Sequence, residues 1–419
     1  MKKFIALVIL AALCLTMLAS VALADQTTIH FFHRWPNEPK LSYLNTLIAE
    51  FEAANPDIKV VSDCVLNDSY KEKIRVLVST DDIPDVFMSW SGAFGANLVK
   101  SGRVLALDDM LAADPEYANS IVESQWPPFN YDGKQYGVPW SMDGKAFFYN
   151  IDVFNELGLT VPTTLSELYD VCEKLVAAGY DEPISAGFSA PWAISHYMGT
   201  ICQRVVDPAI LAKDYALEGD FTDAGYIRVL EIMRDLSKYM TADPCSVDHE
   251  FARNMFIAGA SPMCYMQLAE NKYVIDDAEF DYAFFNFPAV EDGLGDPNQL
   301  TGAPEGMMIS ATAAPEVQEA AIKFLKFVIS QHGGFEMTSR TGELSCVKGA
   351  ATEENCNDKM LLSVELIKSA TEPAIWQDCA TDATIADAFM SNTQLMLTGD
   401  MTPEQVMTAV QAANASVKK

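Results

Sequence analysis

Five tryptophans, Trp35, Trp90, Trp140, Trp192 and Trp376, stand outside the segments with a helical apolar face. A flat indole ring covers the apolar C–H face of a sugar. Carboxylates, amides and indole N–H groups can bond the hydroxyls around the rim of that sugar. The plain alternative is that each ring fills a crevice in its own domain. Trp35, Trp90 and Trp192 follow predicted strands, and open α/β sheets hold ligands beyond the carboxyl ends of their strands. For the group, this placement favours binding over packing.

Other chemistries lack their residues. The sequence has no GxxxxGK[ST] and no GxGxxG between a strand and a helix. Gly187-Phe188-Ser189-Ala190-Pro191 lacks the second glycine of a nucleophile elbow. His249-Glu250 has no second histidine four residues on. His30 and His33 fall on opposite faces of an extended chain. Asp292-Gly293-Leu294-Gly295-Asp296 lacks the alternating ligands of a calcium loop and reads as a turn. No CxxC is present, so neither metal nor cofactor is expected. A carboxylate pair for glycoside hydrolysis stays open, because an acid-rich chain offers many candidates.

The elements that must position the tryptophans alternate along the chain. A strand over 27–32 precedes the polar loop His33 to Glu38. A helix follows with Leu41, Leu44, Leu47, Ile48 and Phe51 on one face, ending at Asn55-Pro56. A strand over 58–61, a helix over 69–79 and a strand over 85–88 complete a strand–helix repeat, which predicts a parallel sheet covered on both faces. A second αβ region begins after Tyr131 to Trp140. Its helix opens on the capping box Thr164 to Glu167 and ends at Gly179. Strands are predicted over 184–188, 282–287 and 307–310. The loop 291–298 reads as a connection between lobes. A helix over 315–331 starts on Pro315 and stops before Gly333-Gly334.

Lys2 and Lys3 precede an uncharged run over 4–24 that ends Ala22-Leu23-Ala24. This is the order of a secretory signal peptide, expected to be cleaved; the alternative is a retained anchor. Cys14 follows Leu13, where a lipoprotein would need a small residue. The remaining chain is long enough for two lobes. With 28 basic and 58 acidic residues the net charge is −30. Such a surface repels nucleic acid and anionic membranes. Eight cysteines follow the signal, and export permits disulfides whose pairing the sequence leaves open.

Several segments, in order, carry a resemblance. They are Phe51 to Val60, Ile83 to Phe87, Ser101 to Asp108, Tyr131 to Pro139 with Phe148-Tyr149-Asn150, Phe256 to Ala260, and Ala320 to Val328. Over essentially the whole chain after the signal, the protein resembles extracellular solute-binding protein family 1. These are the carbohydrate-binding subunits of ABC importers, the group that includes maltose-binding protein.

The resemblance implies an α/β, two-lobed periplasmic-binding-protein fold of type II, its discontinuous lobes joined by a hinge. Lobe one would hold 25–142 and 289–345, and lobe two 143–288 and 346–419, with crossings near Asp143, Pro288 and Ser345. It also implies ligand contacts at Trp35, Trp90, Ser91, Asp143, Trp192, Gln267, Gly302, Glu305 and Trp376. In that scheme the tryptophans stack, Asp143 and Glu305 accept from hydroxyls, and Gln267 gives an amide contact. Where the family often has Gly-x-Trp, this chain reads Met266-Gln267-Leu268. The implied function is capture of a carbohydrate, an oligosaccharide, outside the cytoplasmic membrane by a monomeric non-enzyme that serves a membrane permease. Two alternatives remain: the same fold binding a polyamine or peptide, and an exported carbohydrate hydrolase.

Overall fold

The computed structural model describes residues 26–371 and 373–418. The expected signal over 1–24 lies outside the described residues. The chain opens with β1 (Thr27–His33), α1 (Lys40–Ala54), β2 (Ile58–Cys64), α2 (Asn67–Val78) and β3 (Val86–Trp90). β1 pairs with β2 and with β3, both parallel, as the strand–helix alternation predicts. Side chains of β3 are buried throughout, as expected for a strand covered on both faces.

Next come β4 (Val138–Met142), β5 (Lys145–Asn150), α3 (Leu165–Ala177), β6 (Ile184–Ser185) and α4 (Trp192–Val205). They are followed by α5 (His249–Ile257), β7 (Met263–Gln267), β8 (Tyr282–Phe285), β9 (Glu305–Ile309), α6 (Pro315–Val328) and β10 (Leu344–Ser345). The capping box at Thr164 forms in full, its hydroxyl accepting from the Glu167 amide while Glu167 reaches back. The first sheet runs β10-β4-β9-β3-β1-β2, and the second β8-β5-β7-β6.

Two predicted elements change length for identifiable reasons. β3 continues through Trp90 because β9 pairs with it antiparallel, Glu305 opposite Trp90. Trp90 therefore ends the strand and does not follow it. The strand predicted over 184–188 stops at Ser185, since the next amides bond elsewhere: Ala186 to the Thr241 hydroxyl and Phe188 to the Pro244 carbonyl.

The loop 291–298 lies against the C-terminal end of α4. Leu294 donates to the Val205 carbonyl, and the Arg204 guanidinium bonds the carbonyls of Phe287, Asp296 and Gln299. A Cβ at Gly293 would stand 2.0 Å from the Arg204 carbonyl oxygen, so only glycine fits.

The buried side chains form three clusters. The first gathers β1 to β4, β9, α6 and β10. The second gathers α3, α4 and the C-terminal helices Ala383–Leu397 and Pro403–Val417. The third lies on the other face of the second sheet and includes Ala146, Phe148, Phe256 and Leu300. The segment 289–300, expected with lobe one, packs Val290 into the second cluster and Leu300 into the third. Residues 346–350, expected with lobe two, pack Cys346, Val347 and Ala350 into the first.

All eight cysteines among the described residues are free thiols. No helix among the described residues is long and apolar enough to cross a membrane.

Candidate ligand-binding cleft

A cleft of ≈ 370 Å³ opens between the two sheets. Each wall is a consequence of local structure. β3 delivers Trp90 at its carboxyl end. β9 delivers Glu305 at a register shift between Glu305 and Gly306, an irregularity of the kind that re-aims a side chain. From the other side, α4 begins at Trp192 and places His196 one turn on. β7 ends at Gln267, and Glu270 follows in a short 3₁₀ turn.

Of the nine residues singled out from the sequence, Trp90, Asp143, Trp192, Gln267, Glu305 and Trp376 line the cleft together. Trp35, Ser91 and Gly302 do not. Trp35 is 2% exposed and packs in the first cluster against Trp140, ring centroids 4.4 Å apart. Trp140 is itself a buried residue of β4. For this pair the plain reading, a ring filling its own domain, is what the structure shows. Ser91 is buried with its hydroxyl unpartnered. At Gly302 a Cβ would stand 2.2 Å from the Asp143 carbonyl oxygen and 2.7 Å from the Gly144 Cα. Its role in the structure is close approach of two chain segments.

The indoles differ in accessibility. Trp192 is half-buried, whereas Trp90 and Trp376 are 6% and 3% exposed. Trp90 has the Lys71 ammonium 4.6 Å and the Arg34 guanidinium 5.3 Å from its ring centroid. Trp376 stacks on the His196 ring at 4.1 Å and 22°. Trp192 meets His196 and His249 obliquely, each with centroids 5.0 Å away.

Four carboxylates of the cleft, Glu305, Glu343, Asp378 and Glu270, are paired with basic side chains. Glu305 takes both oxygens to Arg34, at 2.5 and 2.6 Å from Nη2 and 3.1 Å from Nε. Glu343 bonds Lys40. Asp378 accepts from Lys71 at 2.5 Å and from the Ser195 hydroxyl at 3.1 Å. Glu270 accepts from His249 at 2.7 Å, Arg253 at 3.1 Å and the Gln267 amide N–H at 3.0 Å. Burial alone would raise the Glu270 carboxyl, but the neighbouring His249, with Arg253 and Lys145, holds it well below the usual range.

Asp143 has no ion-pair partner among the described residues. It accepts from the backbone N–H groups of Gly144 and Ala269 and from the Gln267 side-chain amide at 2.9 Å. Burial, with Glu343 nearby, pushes its carboxyl up to about 7. The amide of Gln267 is thus already engaged within the protein.

Lys40, Lys71, His196, Arg253, Glu270, Glu343 and Asp378 line the cleft without having been singled out from sequence. Asp378 sits two residues past Trp376, so proximity to a chosen tryptophan was its one available signal. Lys71 and Arg253 fall on helices whose polar faces look ordinary in sequence. Among the described residues no group of acids, histidines and cysteines could hold a metal ion.

Comparison with known proteins agrees with this architecture. A model of the bacterial extracellular solute-binding protein family matches residues 35–334. The multiple sugar-binding protein of Streptococcus mutans is 23% identical over 83% of this chain and 81% of its own. The galactooligosaccharide-binding protein of Bacillus subtilis is 22% identical over 92% of this chain and 89% of its own. Among solved structures, a chitin oligosaccharide binding protein superposes with a TM-score of 0.86 at 21% identity. That match covers 94% of this chain and 99% of the other, and shows the same two-lobed fold.

Proposed function

This chain belongs to the bacterial extracellular solute-binding proteins, and on that premise we propose that its cleft captures a carbohydrate outside the cytoplasmic membrane for the permease of an ABC importer. The observation that carries the proposal is the lining of the cleft: three indoles interleaved with carboxylates whose lone pairs are held in place by fixed cations. Indoles suit the C–H face of a pyranose, and preorganised carboxylates suit its hydroxyls. The names of the relatives, which bind multiple sugars, galactooligosaccharides and chitin oligosaccharides, support the same class.

In this proposal residues 1–24 are an export signal, and the protein acts as a monomer without turnover. The lobes close on the ligand, which Trp90 and Glu305 would meet from one wall of the cleft and Trp192 and His196 from the other. We place the chain crossings near Asp143, near Gly302 and beyond Ala350, following the packing of Val290, Leu300, Ala303 and Ala350. A polyamine is the second reading, because the cleft sets seven carboxylates against the four cations Arg34, Lys40, Lys71 and Arg253.

The test is tryptophan fluorescence titrated with maltotriose, raffinose, a galactooligosaccharide and a chitin oligosaccharide, with spermidine as control. A saturable response to a saccharide that is recovered intact supports the proposal. Response to spermidine alone, or conversion of the saccharide to products, overturns it.

A further inference from the structure

Lys145, the first residue of β5, is 1% exposed, yet no carboxylate among the described residues lies within ion-pair distance of its ammonium. Its side chain runs between Trp192 and Tyr265, with Nζ 5.5 and 5.6 Å from the two ring centroids. The polar partner of Nζ is Nδ1 of His196, at 3.1 Å. A buried lysine spending its charge on a neutral ring needs an explanation, because burying an ammonium costs more than one such bond returns.

The His196 ring supplies one. It is stacked on Trp376 and flanked by Trp192, so it cannot turn freely. An ammonium has only hydrogens to give, so Nδ1 must be the bare, accepting nitrogen. The ring proton then sits on Nε2, the nitrogen with no partner among the described residues, in a residue that lines the cleft. Burial, and the Lys145 charge beside it, keep this imidazole well below its ordinary pKa and therefore neutral. Burial draws Lys145 down to about 8, opposed by Glu270, which leaves the amine mostly charged at neutral pH.

We infer that Lys145 is a positioning residue that locks His196 in its Nε2–H tautomer and so presents one fixed, uncharged hydrogen-bond donor to the ligand. This rests on the proposed function for the identity of the ligand only. In a cleft wall otherwise rich in carboxylate acceptors, such a donor selects ligands with an oxygen acceptor held between the two indoles: a hydroxyl, ring or acyl oxygen. Reversal of the tautomer would put a lone pair there and repel the same atom.

The test is nitrogen NMR of histidine-labelled, ligand-free protein, with His196 assigned by His196→Asn among the five histidines. The expected signature at neutral pH is a bare Nδ1 and a protonated Nε2. Lys145→Met should give mixed tautomers, and Lys145→Arg should restore the single one. An Nδ1–H ring or an imidazolium in the wild type overturns the inference, as does an unchanged signature in Lys145→Met. If no saccharide of the panel binds, the proposed function fails while this readout still decides the tautomer. For the panel saccharide of lowest Kd, Lys145→Met and His196→Asn should each weaken binding about tenfold. Wild-type affinity in both variants overturns the donor role.

Discussion

The Arg34 guanidinium grips both carboxylate oxygens of Glu305, a residue 271 positions further along the chain. The pair joins the loop after β1 to the first residue of β9, and it forms only when the first sheet is complete. Arg34→Ala leaves a mostly buried carboxylate without its cation. With side chains 17% and 12% exposed, the expected loss is about 2 kcal/mol, below the roughly 3–5 kcal/mol of a fully buried pair. Urea denaturation reads it; an unchanged midpoint would mean that water replaces the arginine.

Trp35 and Trp192 should separate stability from binding. Trp35 sits in the first cluster against Trp140, so Trp35→Ala should cost about 3–5 kcal/mol of stability while leaving ligand affinity within about twofold. Trp192→Ala removes a half-buried ring of the cleft and should weaken binding about tenfold or more. Calorimetric titration of both variants checks the pair, and a binding defect confined to Trp35→Ala would refute the assignment.

Asp143 should make the protein more stable toward acid over part of the pH range. Its folded carboxyl lies at about 7, against 3.8 for an ordinary aspartate. Between those values the folded state holds a proton that the unfolded chain has released. Stability from this group therefore falls as pH rises through the window, at up to about 1.4 kcal/mol per pH unit. In Asp143→Asn the slope should flatten, with the Gln267 amide turned to accept. Parallel wild-type and variant curves of stability against pH would show that Asp143 does not titrate there.

Thiol labelling should divide the cysteines. Cys172, Cys202, Cys264, Cys346 and Cys379 are buried, and burial raises each thiol above its ordinary value. Cys64, Cys245 and Cys356 are only partly buried. Native protein prepared without residues 1–24 should react quickly at three thiols at most, and at eight once unfolded. Fewer than eight in the unfolded, unreduced protein would reveal a disulfide.

The architecture was legible where periodicity is strong. The alternation from β1 to β3 and the capping box at Thr164 follow from local pattern, and the family resemblance supplied the two lobes. The cleft was half legible. Trp90, Trp192 and Trp376 carry a type signal, whereas Trp35 shares that type but turns inward onto Trp140, a contact made across more than a hundred residues. Lys40, Lys71 and Arg253 were illegible for a different reason. A lysine such as Lys71 on a helix face has the same local sequence whether it meets water or Asp378, which lies 307 residues away. Extension of β3 through Trp90 depends on β9 alone, and no local preference encodes it.

β9 occupies the middle of the first sheet, hydrogen-bonded to β3 on one side and β4 on the other. A ribosome must therefore release residues 305–309 before the strands made first can close around them. At ordinary synthesis speeds the interval between β4 and β9 is on the order of ten seconds. During that time the amino-terminal third of the chain has an unfilled slot where its central strand belongs. The first domain of such a chain cannot finish folding until most of the sequence has been made, so its earliest strands are locked in place by one of its later ones.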